Sequence, residues 1–530
     1  MTTSPESADY VVVGAGSAGA ALAGRLTGTT TASVVLLEAG GPARGPAVRI
    51  PAAFPQNFRT ASDWDYTTVP QPGLAGRSVY WPRGRMLGGC SSMNAMMWVR
   101  GFAADYDAWG EACGPDWSWK GLLPYFLRTE GIEGATDPDH GRHGPLTIGP
   151  QRSPHPHTTA FLDAVRELGH AVEEPNAAAP TGFSRALVNQ RRGARFSAAD
   201  AYLRPARRRP NLHVVTDARV TRVLFEGHRA VGVEYRTGRG VRRVLARREV
   251  VLSGGAVNTP QLLMLSGIGD AGRLRDLGIE VLVDAPEVGS NLTDHLIGGL
   301  VVDTPGGSLL SAERPRELLK YLVRRGMLTS NVGEAYGFVR SRPDLALPDL
   351  EILFAPVPFL GQGLVKATEH GVTVGAVLLR PRSTGAVTLA SPDPFDKPVI
   401  DPRYLSDPHG HDRAALLAGL DVCERIVERF TARGLTGGRY LMPPGAEHLP
   451  PAQRAARALD EHAHTVYHPV GTARMGRDGA SVVDPELRVR GVRGLRVADA
   501  SIMPAPVRGH THAPAVVIGE KAADLLAAAG

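Results

Sequence analysis

The residue with the clearest chemical use in this sequence is His468, in VYHPVGTARMG (466–476). Imidazole exchanges protons near neutral pH, so it is the natural side chain for taking a proton from a hydroxyl group. The imidazolium formed would then steady the alkoxide. Pro469 restricts the residue before it to extended backbone, which helps fix the direction of the ring, and Gly471 is read as allowing close approach to a cofactor. Type alone decides nothing, because the chain has 17 histidines. The second constellation is Gly14-x-Gly16-x-x-Gly19 with Glu38, 19 residues after Gly19. Gly14 suits a tight turn, Gly16 lets backbone amides reach a pyrophosphate, and Gly19 lets helix and strand pack closely. A helix starting there offers its free N–H groups to phosphates. A carboxylate at position 38 suits ribose hydroxyls and disfavours a 2′-phosphate. The motif alone does not separate FAD from NAD.

The elements around these residues agree. Residues 10–13 (YVVV) read as a short buried strand, Gly14 to Gly19 as a turn, Ala20 to Leu26 as the opening of a helix, and Ser33 to Leu37 as a second strand. This βαβ unit implies a parallel sheet. Residues 41–150 read as long ordered loops, 211–235 as successive strands, and 248–269 as strand, Gly turn and helix. Residues 300–460 carry strand-like runs and a helical stretch from about Asp412 to Phe430, a second domain containing a sheet. The end of the chain reads as Gly-rich loops and a helix.

The 530 residues exceed the usual size of one domain. The net charge is +6. The arginines are spread and not interleaved with aromatics, so a solvated basic surface is expected and no nucleic-acid partner. Cys90, Cys113 and Cys423 form no CxxC pair, which supports neither a disulfide framework nor a metal site. A reducing cytoplasm fits. The start MTTSPESADY has no early Lys or Arg, against a secretory signal. The uncharged run Tyr10 to Gly24 is too short for a transmembrane segment.

Several segments, in order, resemble the glucose–methanol–choline (GMC) oxidoreductase family along nearly the whole chain, most of all its choline dehydrogenase-like alcohol oxidoreductases. They are GAGSAGAALAGRL with VVLLEAGG, RGRMLGGCSSMNAMMWVRG (83–101), SGGAVNTPQLLMLSGIG (253–269), VGSNLTDH (288–295), PVIDPRYLSD (398–407), VYHPVGTARMG and VADASIMP (497–504). The resemblance implies an α/β fold, with an FAD-binding Rossmann-like domain (1–150, 196–300, 461–530) interleaved with an α+β substrate domain on an antiparallel sheet (151–195, 301–460). It implies FAD as cofactor and oxidation of a small-molecule alcohol to aldehyde or ketone, with hydride passing to the flavin. It makes His468 the base, His510 the second catalytic position, and Val466 a pocket residue. Two imidazoles in one site disfavour double protonation and leave one neutral. His510 stands where choline-oxidising members carry Asn, which weighs against choline. His512 is read as a residue backing the site or as loop packing.

The resemblance also assigns cofactor contacts to Gly14, Gly16, Ser17, Ala18, Gly19, Glu38, Arg85, Gly88, Gly89, Ser91, Asn94, Ala95, Val220, Asp499 and Ala500. Asn94 is expected at the flavin edge. The segment 87–96 can lie flat on a planar ring, or be a tight turn between elements. Asp499 can meet the cofactor or cap a helix. Some family members carry a histidine bonded to FAD where this chain has Met93, so the flavin is expected to be non-covalent. Glu334 is expected to face the substrate. The acceptor that reoxidises the flavin and the oligomeric state are left open. The alternative reading is a non-redox flavoprotein lyase acting on hydroxynitriles, and a third is a flavin-stabilised binding protein without turnover.

Overall fold

Three consecutive valines bury the first strand on both faces, as the interior of a parallel sheet covered by helices requires. In the computed structural model, which describes residues 5–529, this strand is β1 (Ser7–Val13). It reaches three residues further back than the apolar run indicates. Residues 1–4 of the N-terminal segment lie outside the described residues. Helix α1 (Ser17–Thr29) starts as soon as Gly16 supplies its carbonyl to the N–H of Ala20. Strand β2 (Val34–Leu37) pairs with β1 in parallel, and β3 (Leu212–Val215) pairs with β2.

The other half of this sheet comes from a meander. Strands β4 (Arg219–Glu226), β5 (Arg229–Thr237) and β6 (Gly240–Leu252) are antiparallel neighbours. The long β6 then continues past its partner and runs parallel to β1 and to strand Leu495–Val497. The sheet order is β3-β2-β1-β6-β5-β4. Helix α2 (Gly255–Leu265) follows β6 through a glycine turn. The C-terminal helix His512–Ala529 lies on α1, where a Cβ on Gly519 would stand 2.2 Å from the Ala18 carbonyl, and Arg25 pairs with buried Glu520 at 2.7 Å. The two ends of the chain therefore meet at one cofactor-sized cleft.

The second sheet is antiparallel. Strands β7 (Leu296–Asp303), β8 (Ala335–Val339), β9 (Leu350–Ala355) and β10 (Gly371–Leu378) stand in the order β7-β10-β9-β8, edged by Tyr440–Met442 and Phe183–Arg185. Helix α3 (His411–Ala432) covers one face, with Leu416, Leu420, Cys423, Val427 and Phe430 buried at helical spacing. They meet Leu350, Ile352 and Phe354 of β9. Each such apolar side chain contributes about 1.5–3 kcal/mol by leaving water. The opposite face of the sheet looks toward the site described next.

The segment 41–150 differs from the expectation of loops. It holds helices Ala103–Cys113 and Trp119–Thr129, the second capped by the Ser118 hydroxyl. Pro124 and the flanking Gly and Pro residues mask the spacing of buried Leu122 and Phe126 in the sequence. No helix among the described residues is long and apolar enough to cross a membrane.

Candidate active site

The cleft begins at the β1–α1 turn. Gly14 has φ +99°, and a Cβ there would lie 2.4 Å from the Ser253 carbonyl oxygen. A Cβ on Gly19 would stand 2.0 Å from the Gly14 carbonyl, so helix and turn touch through bare backbone. Gly16 is different: a Cβ there meets nothing within 4 Å and would project into open space. Gly89 closes the other side, its Cβ position 2.8 Å from the Gly16 Cα. The first N–H groups of α1 have no acceptor within the helix and collect the positive end of its dipole. Glu38 ends β2, and its carboxylate accepts from the N–H of Ala15 and of Gly40, both at 2.9 Å. Burial pushes this carboxyl up to about 7, against those two bonds. The cleft is lined by Gly14, Gly16, Ser17, Ala18, Glu38, Gly89, Val220, Asp499 and Ala500.

A second, largely apolar cavity continues from it. The two share Ser17, Arg83, Cys90, Ala500 and Ala515, so they form one elongated space. The far part is lined by Met93, Asn94, Ala95, Val466, His468 and His510 and by residues of the second sheet. Strand alternation explains the latter: Leu353 and Ala355 share a face of β9, and Ile297 and Gly299 share a face of β7. An ADP-sized cleft with a ring-sized apolar end fits FAD. The β1–α1 turn and Glu38 would hold the adenosine and pyrophosphate, and Asn94, Ala95 and Ala500 would meet the ring.

The histidines stand at the apolar end because residues 464–470 pair antiparallel with 292–297. Leu296 pairs with Thr465, Ile297 with His464, and Thr293 bridges Val470. His468 Nδ1 lies 3.1 Å from His295 Nδ1, and the rings of His468 and His510 are 4.8 Å apart between centroids. The His468 N–H donates to Asp294 at 2.9 Å, and Tyr404 donates to the other oxygen of the same carboxylate. Burial lifts Asp294 to about 6. Between them Tyr467 takes φ +71°, a left-handed conformation that costs a side-chain residue on the order of 1–3 kcal/mol and marks a constrained turn. Burial, then the facing His510 and His295, hold the His468 imidazole well below its ordinary 6.5, so it stays neutral. His295, fully buried, is pushed down to about 3. With its Nδ1 engaged by His295, His468 has Nε2 to offer to the cavity.

His510 Nε2 lies 3.1 and 3.2 Å from the two oxygens of Glu351, a buried carboxylate on β9. A carboxylate there needs a proton on Nε2, which fixes the tautomer and ring direction. Neither Glu351 nor His295 was singled out by sequence reasoning. Glu351 is 159 residues from His510, and nothing local announces the pairing. His295 and Asp294 do lie within VGSNLTDH, and that motif was the available pointer.

Other expectations change. Glu334 does not line the cavity: its carboxylate accepts from Ser330 Oγ at 2.6 Å, Thr158 Oγ1 at 2.5 Å and the His155 N–H at 2.7 Å, a fully internal set. Gly471, at φ +88°, approaches the Asn291 carbonyl and not a cofactor. Asp499 does both things the sequence allows: it lines the cleft, and it accepts from the N–H of Gly255 and Ser501 and from Thr259 Oγ1. Gly19, Arg85, Gly88 and Ser91 stand behind the cleft wall. There the Gly88 N–H donates to Ala15 and the Ala198 N–H to Ser91 Oγ, and Arg85 lies over the Trp64 ring. Asn94 does face the cavity, and its Oδ1 accepts from the Met96 N–H and from buried Arg195 at 2.8 Å. His512 Nδ1 lies 3.0 Å from Ser17 Oγ at the junction of the two spaces, in keeping with a residue that backs the site.

A two-part fold of this kind, with a dinucleotide cleft ending at paired imidazoles, fits a flavin-dependent oxidoreductase. Two family models described as GMC oxidoreductase match the chain, an N-terminal one over residues 8–297 and a C-terminal one over 381–519. The chain belongs to the GMC oxidoreductase family and is an FAD-dependent enzyme. It is 57% identical over 523 residues to an uncharacterized GMC-type oxidoreductase of Mycobacterium tuberculosis, covering 98% of this chain and 99% of that one. It is 41% identical to an alcohol dehydrogenase [acceptor] of Pseudomonas putida, covering 98% and 95%. Among solved structures, pyridoxine 4-oxidase from Mesorhizobium loti superposes with a TM-score of 0.88 at 33% identity, covering 97% and 98%.

Proposed function

We propose that the protein oxidises an alcohol CH–OH group to a carbonyl, with His468 as the base and FAD held without a covalent bond. The observation that carries this reading is the neutral His468 imidazole in the apolar end of the elongated space, its Nδ1 occupied by His295. The relative that oxidises alcohols agrees with it. His468 Nε2 takes the hydroxyl proton, and the His510 ring, held by Glu351, bounds the space in which the substrate lies. FAD held in the cleft would supply the two-electron acceptor: the alcohol gives its hydroxyl proton to His468 and the hydride of its hydroxyl-bearing carbon would go to the flavin, leaving the carbonyl. Met93 borders the cavity at the position of the bonded histidine of some relatives, and its thioether, with no proton to lose, does not form the neutral link that an imidazole does.

The test is anaerobic mixing of the holoenzyme with primary alcohols, sugars and amino alcohols, read as loss of the flavin absorbance. One class of alcohol bleaches the flavin. His468→Ala retains FAD and slows bleaching by about two to four orders of magnitude, the usual worth of a general base. Equal bleaching rates in the two proteins reject His468 as the base.

A further inference from the structure

Helix Pro315–Leu322 is built inside out. The side chains it turns to the protein are Glu317 and Tyr321, one helical turn apart. Its outer face carries Leu318, Leu319 and Leu322, followed by Val323, exposed to 50%, 66%, 77% and 67%. A helix docked by its apolar stripe does the opposite. Scattered exposed apolar residues are ordinary, but four within six positions form a patch that water does not favour.

The surroundings are basic. Arg314, Arg316, Arg324 and Arg325 are exposed in the same segment. Arg324 stacks on Tyr321, 4.7 Å from the ring centroid, and its carbonyl backs the turn at Gly193. It thereby joins a groove lined by Arg49, Arg191, Arg192 and Arg204. The carboxylates in the helix and the groove are already engaged: Glu317 holds Lys320 at 2.6 Å and the Met327 N–H at 2.9 Å, and Asp200 holds Arg49 at 2.9 Å. The face is therefore an apolar ridge bordered mainly by cations, with exposed Glu313 beside Arg314.

We propose that this face seats the protein on an anionic lipid bilayer, with Leu318, Leu319, Leu322 and Val323 entering the acyl boundary and the arginines meeting the headgroups. Apolar side chains backed by basic ones are the composition that lies in such an interface, and each cation near the surface adds to the affinity. A second copy of the chain would bring the same positive charge to the contact and repel, which is why the bilayer is the better occupant. The location is apt. The helix packs through Tyr321, together with Leu328 of the turn that follows it, on Ile50 and Ala52, and Met327 joins that cluster to the one containing Phe54 and Val332 of the cavity wall. The docked ridge is thus linked to the active-site cavity through two side-chain clusters that share Met327.

The experiment is co-sedimentation of the FAD-loaded enzyme with phosphatidylcholine vesicles, with and without phosphatidylglycerol. The enzyme pellets with the anionic vesicles, stays in solution with the neutral ones, and is partly released by salt. The triple variant L318S/L319S/L322S binds anionic vesicles at least roughly tenfold more weakly, and R316E/R324E loses the preference for phosphatidylglycerol. Both keep full flavin content and wild-type turnover of a soluble alcohol, since none of these residues touches the cavity. The proposal is overturned if the wild-type enzyme ignores anionic vesicles, or if the triple variant pellets as the wild type does. It is equally overturned if the wild type sediments as a dimer that the triple variant dissociates, which would make this face a contact between copies.

Discussion

At the scale of single residues, the central arrangement is one imidazole kept neutral by burial and by two others. This has a consequence for pH. The base form is lost only when pH falls through the lowered value, not through 6.5. On the acid side, kcat/KM therefore stays level from neutral pH to well below 6.5 and declines only there. Initial rates across that range check it, and an acid limb centred at or above 6.5 contradicts it. The sequence disclosed His468 through its neighbours and its motif. It did not disclose what tunes it, because His295 comes from 173 positions away and Glu351 reaches His510 across a strand register. Glu334 shows the limit from the other side: an acid in a suggestive motif found three donors inside the protein, and those donors come from residues 155, 158 and 330.

At the scale of elements, the β1–α1 turn was the most legible part of the chain, because its steric demands are local. The three glycines are nonetheless not equivalent. Gly19→Ala drives a Cβ to 2.0 Å from the Gly14 carbonyl, so the turn itself must open. Gly16→Ala meets no protein atom within 4 Å, and its methyl enters the space where a pyrophosphate approaches the backbone. Gly16→Ala should thus fold with near wild-type stability and bind FAD at least about tenfold more weakly, a loss of about 1.4 kcal/mol or more. Gly19→Ala should lose several degrees of melting temperature even in saturating FAD. Flavin titration by fluorescence quenching and thermal melts separate the two, and equal behaviour of both variants defeats the distinction. The helices Ala103–Cys113 and Trp119–Thr129 were less legible. Their apolar spacing is broken by Gly and Pro residues whose conformations only tertiary packing decides.

At the scale of the whole molecule, one cleft ties together parts that the chain keeps far apart. Its walls include Gly16 and Glu38 from the first forty residues, Val220 and Gly254 from the middle, and Asp499 and Ala515 from the end. A ligand lying along it would touch all of them, so bound FAD would act as a structural member as well as a reactant. A ligand bound only by the folded state stabilises it by about 4 kcal/mol at a thousandfold excess over its dissociation constant. Flavin held without a covalent bond should therefore be removable by acid precipitation, leaving a protein that melts several degrees lower and recovers as FAD is titrated back. The recovery should rise with the logarithm of FAD concentration once the site is saturated, as mass action requires. Two outcomes defeat this. Flavin that stays with the precipitated polypeptide means a covalent bond, and the reading of Met93 falls. A melting point indifferent to added FAD means that the two ends of the chain hold together through α1 and the C-terminal helix alone. The contact of Gly519 with Ala18 and the Arg25–Glu520 pair would then carry the junction without the cofactor.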